Sequence, residues 1–192
     1  EAIGAFAELY GPYPFIDERY GHAIFPWGGG MEHQTITSLG GWSEYLIAHE
    51  LAHMWWGDYV TCDNFHHIWM NEGFATWAGA YWREQNEGPA AYLSEMLDAA
   101  YWGPGTIYVP PGDLGNTSRI FSSNLSYNKG SWVVHMLRGV LGDTDFFAAL
   151  DLYRTTHEYG TATTEDLQAA MEAVSGLDLR SGQVVMHGGT KV

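Results

Sequence analysis

The segment Trp42–Trp56 constrains the fold more than any other part of the sequence, because its pattern predicts a helix that is apolar on most faces. Such a helix has to be buried. It nevertheless contains His49, Glu50 and His53. Burying two imidazoles and a carboxylate is costly unless they are paired or bind a metal ion. The fold must therefore provide partners for these three side chains in its interior.

The spacing of the two histidines predicts a metal site. His49 and His53 are four residues apart, so they share one face of the helix and could hold one Zn²⁺. Glu50 lies beside that face, within reach of a water molecule. The best third ligand is Glu72, which follows His53 after 18 intervening residues and would return on a second, antiparallel helix. The alternative is two ordinary histidines whose ring nitrogens are hydrogen-bonded within the helix packing.

The remaining patterns predict an α+β fold that is mostly α, with a small β sheet at the N-terminal side followed by a helical lobe. Strand-like patterns cover 20–26 and 31–38, and a run of glycines separates them. Residues 102–126 are rich in Gly, Pro, Ser and Asn and predict a long surface loop. Further helices are predicted at 2–10, 69–84, 88–101, 128–141, 144–157 and 163–175.

The length of 192 residues fits one domain, in which we expect a β-rich part at 1–41, the helical lobe at 42–180 and an atypical polar tail at 181–192. The net charge of −15 disfavours binding to nucleic acid and to anionic membrane surfaces. No apolar run approaches the roughly 20 residues of a membrane-spanning helix. The single cysteine and the N-terminal residues indicate no particular compartment.

Several motifs together resemble the M1 family of zinc aminopeptidases, within the gluzincin clan. HELAH at 49–53 and NEGFA at 71–75 have the family spacing. GGMEH at 29–33 is similar to the family's exopeptidase motif, in a form seen in bacterial members. WGD at 56–58 and YNKG at 127–130 resemble two further family motifs. Motifs in this order are far more specific than HExxH alone, and they imply a thermolysin-like zinc peptidase catalytic domain.

The resemblance implies one Zn²⁺ per chain, bound by His49, His53 and Glu72, with Glu50 as the general base. Tyr127 matches the tyrosine that donates a hydrogen bond to the oxyanion of the tetrahedral intermediate.

The exopeptidase motif implies the substrate. Glu32 matches the carboxylate that binds the free α-ammonium group of a peptide, while Gly29, Gly30 and Met31 would lie along its backbone. The expected activity is therefore that of an aminopeptidase acting on peptides with a free N-terminus. Family members carry flanking domains that are absent from these 192 residues.

Two alternatives stay open at this point. The same scaffold could serve a zinc endopeptidase or an epoxide hydrolase, or the chain could be a catalytically silent zinc-binding fragment. The second alternative is motivated by Gly79, which stands where family members usually have a carboxylate that hydrogen-bonds a zinc-binding histidine. Loss of such a partner typically costs about 10- to 100-fold in metal affinity or activity.

Overall fold

The structure is a computed structural model, and it describes residues 1–179. These residues contain seven α-helices and five short strands. The helices are α1 (Ala2–Tyr10), α2 (Glu44–Ala52), α3 (Trp69–Glu87), α4 (Pro89–Asp98), α5 (Thr117–Ile120), α6 (Gly130–His157) and α7 (Thr164–Ser175). The strands are β1 (Gly21–Ile24), β2 (Gly30–Met31), β3 (Ile36–Leu39), β4 (Val60–Cys62) and β5 (Gly160–Ala162). The predicted combination of a small N-terminal sheet and a helical lobe is confirmed. The predicted tail at 181–192 lies outside the described residues.

The N-terminal sheet has the strand order β1–β3–β2. Strand β1 runs parallel to β3, and β2 runs antiparallel to it, with Gly30 opposite Leu39. The single strand predicted over 31–38 is therefore wrong. The chain leaves β2 after Met31 and turns through Thr35, whose φ of 62° interrupts an extended conformation. A second pair, β4 and β5, joins the middle of the chain to its C-terminal part.

Helix α2 begins where a side chain caps it and ends earlier than predicted. The Ser43 hydroxyl accepts a hydrogen bond from the N–H of Leu46, which satisfies a free donor of the first turn. The helix ends at Ala52, and tighter turns carry the chain on towards Gly57. The predicted end at Gly57 is thus wrong. After Ala52 the N–H groups of Met54 and Trp55 donate to carbonyl groups three residues earlier, as in a 3-10 helix, instead of four.

Indole rings dominate the core between α2, α3 and the C-terminal helices. Trp55, Trp56, Trp69 and Trp77 are almost fully buried. Three of them keep a hydrogen bond for the indole N–H, which makes burial of that polar group inexpensive. Along α3 every residue in the range 69–81 is buried, so this helix lies at the centre of the lobe.

The C-terminal half differs from the prediction in one place. The helices predicted at 128–141 and 144–157 correspond to two helical segments of α6, which the non-helical backbone of Gly142 (φ 75°, ψ 160°) separates. The predicted loop at 102–126 ends in ordered structure, because α5 and a π-helix over Ser123–Lys129 occupy its last part. No helix within residues 1–179 is both long enough and apolar enough to span a bilayer.

A backbone contact between two glycines joins α3 to the start of α6. A Cβ atom on Gly73 would lie 2.7 Å from the carbonyl carbon of Gly130. Neither backbone can move away without disturbing the packing of a buried helix. We therefore expect Gly73→Ala to lower the free energy of unfolding by about 1–3 kcal/mol, measured by urea denaturation.

Gly4 in α1 provides the matched control for that substitution. A Cβ atom there would have no neighbour within 4 Å. Gly4→Ala should be neutral or should stabilise the protein by about 0.5–1 kcal/mol, because alanine favours helix. Equal urea midpoints for the two variants would contradict the packing role of the glycine contact.

Candidate metal centre

Three buried side chains converge between α2 and α3. The Nε2 atoms of His49 and His53 are 3.3 Å apart. The Oε2 atom of Glu72 lies 3.6 Å from the first of these nitrogens and 3.4 Å from the second. All three residues are less than 10% exposed. The structure therefore brings the three predicted ligands together in a triangle that is nearly equilateral.

The size of this triangle fits a zinc ion. Tetrahedral zinc has ligand bonds of about 2.0–2.1 Å, which separates neighbouring ligand atoms by about 3.3–3.4 Å. The three separations in the structure fall close to that value. Two imidazoles and one carboxylate are also a donor set that zinc accepts readily, and they leave a fourth position for water or substrate.

The charges of the site also favour a cation. Burial lowers the pKa of His49. For His53, burial acts in the same direction, but the charges of Glu32 and Glu72 outweigh it and raise the pKa to about 10. The pKa of Glu72 falls to about 2, because hydrogen bonds from both imidazoles outweigh the effect of burial. A buried carboxylate that holds a proton on a neighbouring imidazole can equally hold a metal cation.

The surroundings fix the orientation of both imidazoles. The Nδ1 atom of His53 lies 3.1 Å from the carbonyl oxygen of Trp56, to which it donates, so its Nε2 faces the triangle. Two aromatic rings lie next to the His49 ring. Tyr127 stacks on it with a centroid distance of 6.1 Å, and Tyr45 lies 6.4 Å away in a tilted arrangement.

Tyr45 accounts physically for the glycine at position 79. A Cβ atom on Gly79 would lie 2.8 Å from Cε2 of the Tyr45 ring, so this ring occupies the space where a larger side chain would stand. The Tyr45 hydroxyl donates to the carbonyl oxygen of Thr76 at 3.4 Å. An aromatic ring thus packs beside His49 where a carboxylate was expected.

Glu50 lies next to the triangle with one carboxylate oxygen free. It is 4% exposed, and its Oε2 atom has no hydrogen-bond partner. The other side of the carboxylate lies against Gly30, where a Cβ atom would collide with it. Burial raises the pKa of Glu50 to about 7. The residue can therefore accept and release a proton near neutral pH, which a general base requires.

Glu32 follows β2 and faces the same space. Ligand atoms of Glu32, Glu50 and His53 lie within 4.8 Å of one another. Glu32 is half-buried, and the glycines before it include Gly29, whose φ is 87°. This positive φ favours glycine at the turn into the strand. The arrangement leaves a carboxylate beside the triangle that can pair with a cationic group.

Tyr127 reaches the site from the π-helix over Ser123–Lys129. Burial and the neighbouring charge of Glu72 raise the pKa of its hydroxyl well above the usual range. The hydroxyl therefore keeps its proton and can donate a hydrogen bond towards a negatively charged oxygen. π-Helical turns are rare and are frequently found at functional sites.

All of the residues predicted for the site line one cavity of about 1000 Å³. Among the described residues, no lysine or arginine lines it, whereas four carboxylates do, the fourth being Asp63. Sequence patterns did not predict a place in the site for Tyr45 or for the aromatic wall formed by Phe65 and Phe121. Tyr45 could have been found, because it lies one helical turn before His49. The aromatic pair could not, because it joins residues far apart in the chain.

Comparisons with known proteins agree with this geometry. Residues 33–186 match the Peptidase family M1 domain. Aminopeptidase M1-A of Oryza sativa subsp. japonica is 38% identical over 156 residues, which is 76% of this chain and 17% of that protein. Aminopeptidase 2, mitochondrial, of Saccharomyces cerevisiae is 34% identical over 145 residues, or 71% of this chain and 15% of that protein.

Solved structures of M1 zinc metallopeptidases are similar in fold to this chain. A variant of the M1 zinc metallopeptidase from Deinococcus radiodurans bound to a Tyr-Ser-Ala substrate has a TM-score of 0.77 and 28% sequence identity. The match covers 92% of this chain and 40% of that one. The fold is thus that of an M1 zinc metallopeptidase, consistent with the predicted thermolysin-like catalytic domain. The chain spans about a sixth of the length of the curated relatives it matches.

Proposed function

The chain belongs to peptidase family M1, and on that premise we propose that it carries the catalytic centre of a zinc aminopeptidase. The reaction would be hydrolysis of the first peptide bond of a peptide with a free N-terminus. The observation that carries this proposal is the triangle of His49, His53 and Glu72 with the unpartnered oxygen of Glu50 beside it.

In this proposal one zinc ion per chain is held by His49, His53 and Glu72. Support comes from the separations of their ligand atoms and from the zinc metallopeptidases that share the fold. When bound, zinc would supply a Lewis acid that polarises the scissile carbonyl and makes water more acidic. The chain's own side chains would then orient the peptide and move the protons.

Glu50 would act as the general base and Tyr127 as the hydrogen-bond donor to the developing oxyanion. Glu50 would take a proton from the attacking water and deliver it to the leaving amine. Its pKa of about 7 supports both transfers, since the carboxylate can gain and lose a proton near neutral pH. A donor in the position of Tyr127 typically contributes about 2.7–4 kcal/mol of transition-state stabilisation.

Glu32 would restrict cleavage to the end of the peptide. Its carboxylate would bind the α-ammonium group, while Gly29, Gly30 and Met31 would lie along the substrate backbone. An internal peptide bond offers no cation at that position. The absence of a lysine or arginine from the described walls of the cavity supports the same assignment, because no such side chain would compete for the carboxylate.

Metal analysis combined with hydrolysis of an aminoacyl p-nitroanilide tests the proposal. We expect about one zinc ion per chain, hydrolysis that a chelator abolishes, and recovery when zinc is returned. Zinc binding without hydrolysis would instead favour the silent-fragment alternative. Hydrolysis that persists after complete removal of the metal would overturn the proposed mechanism.

Glu32→Ala should selectively remove the preference for a free N-terminus. A hydrogen bond to a charged group is worth about 1.5–3 kcal/mol, so kcat/KM for a free peptide should fall by about 10- to 150-fold. Cleavage of the N-acetylated form of the same peptide, already slow, should not change. The measurement is the ratio of the two kcat/KM values.

Asp17→Ala is the matched control, since Asp17 is an exposed carboxylate on the same N-terminal part of the chain. It should leave the ratio unchanged. Equal cleavage of free and acetylated peptides by the parent chain would favour the endopeptidase alternative.

A further inference from the structure

Lys129, the last residue of the π-helix, bridges two carbonyl groups of a distant segment. Its Nζ atom donates to the backbone oxygens of Gly103 and Gly105, each at 2.9 Å. The same ammonium group lies 5.4 Å from the centroid of the Tyr101 ring. These contacts satisfy most of the hydrogen-bonding capacity of the side chain and fix its position.

The bridged segment has little regular structure of its own. Side chains supply partners for its carbonyl groups, and Arg119 donates to those of Thr106 and Tyr108. At Gly105, where φ is 114°, a Cβ atom would lie 2.9 Å from the side chain of Leu125. The segment around Gly103 and Gly105 is therefore packed directly on the π-helix, and the hydrogen bonds of Lys129 hold the two in contact.

A π-helical turn is rare and needs support from its surroundings. On one side the turn is anchored by the hydroxyl of Ser126, which donates to the carbonyl oxygen of Ile120 at 2.6 Å. On the other side the bridge of Lys129 is the anchor, two residues from Tyr127. The direction of the Tyr127 hydroxyl depends on the path of this turn.

We propose that Lys129 is a positioning residue, which keeps the π-helical turn in the conformation that points the Tyr127 hydroxyl at the reacting carbonyl. This inference rests on the proposed function, because it assigns work to Tyr127 in catalysis. It predicts an effect on the transition state rather than on metal or ground-state substrate binding.

Lys129→Met removes the bridge and keeps the length of the side chain. We expect kcat to fall by roughly 10- to 100-fold, the range that a small misplacement of a catalytic group produces. KM and zinc content should stay the same. Lys129→Arg, which keeps a charged donor able to reach both carbonyls, should restore most of the loss.

A double-mutant cycle separates this role from a general effect on stability. In a Tyr127→Phe background the hydroxyl is gone, so adding Lys129→Met should cause no further loss of kcat. Arg119→Met is the matched control, since it releases the next carbonyls of the same segment and removes neither of the two anchors described for the π-helix. It should leave kcat near the parent value.

Binding of an aminoalkyl phosphonate, a tetrahedral transition-state analogue, gives a readout that needs no turnover. Calorimetry on the zinc-loaded chain should show about tenfold weaker binding for Lys129→Met and for Tyr127→Phe, whose losses should not add. If Lys129→Met does not fold, Lys129→Gln takes its place, since its shorter amide cannot reach both carbonyls.

The outcomes distinguish a failure of the inference about Lys129 from a failure of the proposed role of Tyr127. Loss of kcat and analogue affinity for Tyr127→Phe, with parent values for Lys129→Met, would overturn the inference alone. Parent values for Tyr127→Phe would overturn the proposed role of Tyr127. Additive losses in the double mutant would show that Lys129 acts independently of the hydroxyl, which also overturns the inference.

Discussion

Glu50→Gln is expected to bind zinc as the parent chain does and to lose about 10²- to 10⁴-fold in kcat, the range that a positioned general base contributes. Glutamine has the shape of glutamate but cannot take a proton from water. The substitution also fits the space beside Gly30, so the fold and the triangle of ligands should stay intact. Steady-state kinetics and zinc content together measure this result.

Glu44→Gln supplies the control for Glu50. Glu44 begins the same helix α2, but its side chain is exposed. The variant should keep the kcat of the parent. A Glu50→Gln chain that turns over substrate at the parent rate would leave the site without its proposed base, and another proton acceptor would have to be sought.

Glu72→Gln is expected to weaken zinc binding by more than the 10- to 100-fold that follows loss of a residue supporting a ligand. The neutral amide is a poor zinc ligand, and the change removes the negative charge between the two imidazoles. Competition with a chelator of known affinity measures the dissociation constant. Hydrolysis should fall in parallel, and added zinc should restore part of it.

Glu87→Gln is the matched control on the same helix α3. Glu87 pairs with Arg83 at the exposed end of that helix, far along the chain from the triangle. Zinc affinity should not change in this variant. Tight zinc binding by Glu72→Gln would exclude Glu72 as the third ligand.

The metal triangle could be predicted from the sequence because it depends on local rules. Two residues four apart on a helix share a face whatever the rest of the fold does. The third ligand, Glu72, required only the assumption of a second helix that returns along the first. The early end of α2 does not affect this prediction. His53 directly follows the helix with helical dihedral angles, so its side chain still lies on the same face as that of His49.

Glu32 and Tyr127 could not be derived from spacing alone. Each comes from an element outside the two central helices, and only the family motifs pointed to them. The structure places both beside the triangle, through β2 and the π-helix respectively. Glu32→Ala and Tyr127→Phe test the roles proposed for these two residues.

The features that sequence patterns missed depend on contacts between distant segments or on an unusual local backbone conformation. Hydrophobic periodicity does not reveal a π-helix, whose backbone hydrogen bonds join residues five apart. The ring of Tyr45 beside Gly79 is likewise a contact between two helices. The split of the predicted strand at Thr35 follows from a local backbone conformation that β-branched residues rarely adopt.

The glycine contact between α3 and α6 has a consequence for how such a chain can vary. Gly73 directly follows Glu72, and Gly130 comes three residues after Tyr127. This close contact therefore sets the distance between Glu72, the proposed metal ligand, and Tyr127, the proposed oxyanion donor. Insertions or deletions at 111–115, which lie away from the carbonyl groups that Lys129 and Arg119 bind, can change the length of the intervening connection and leave that distance untouched.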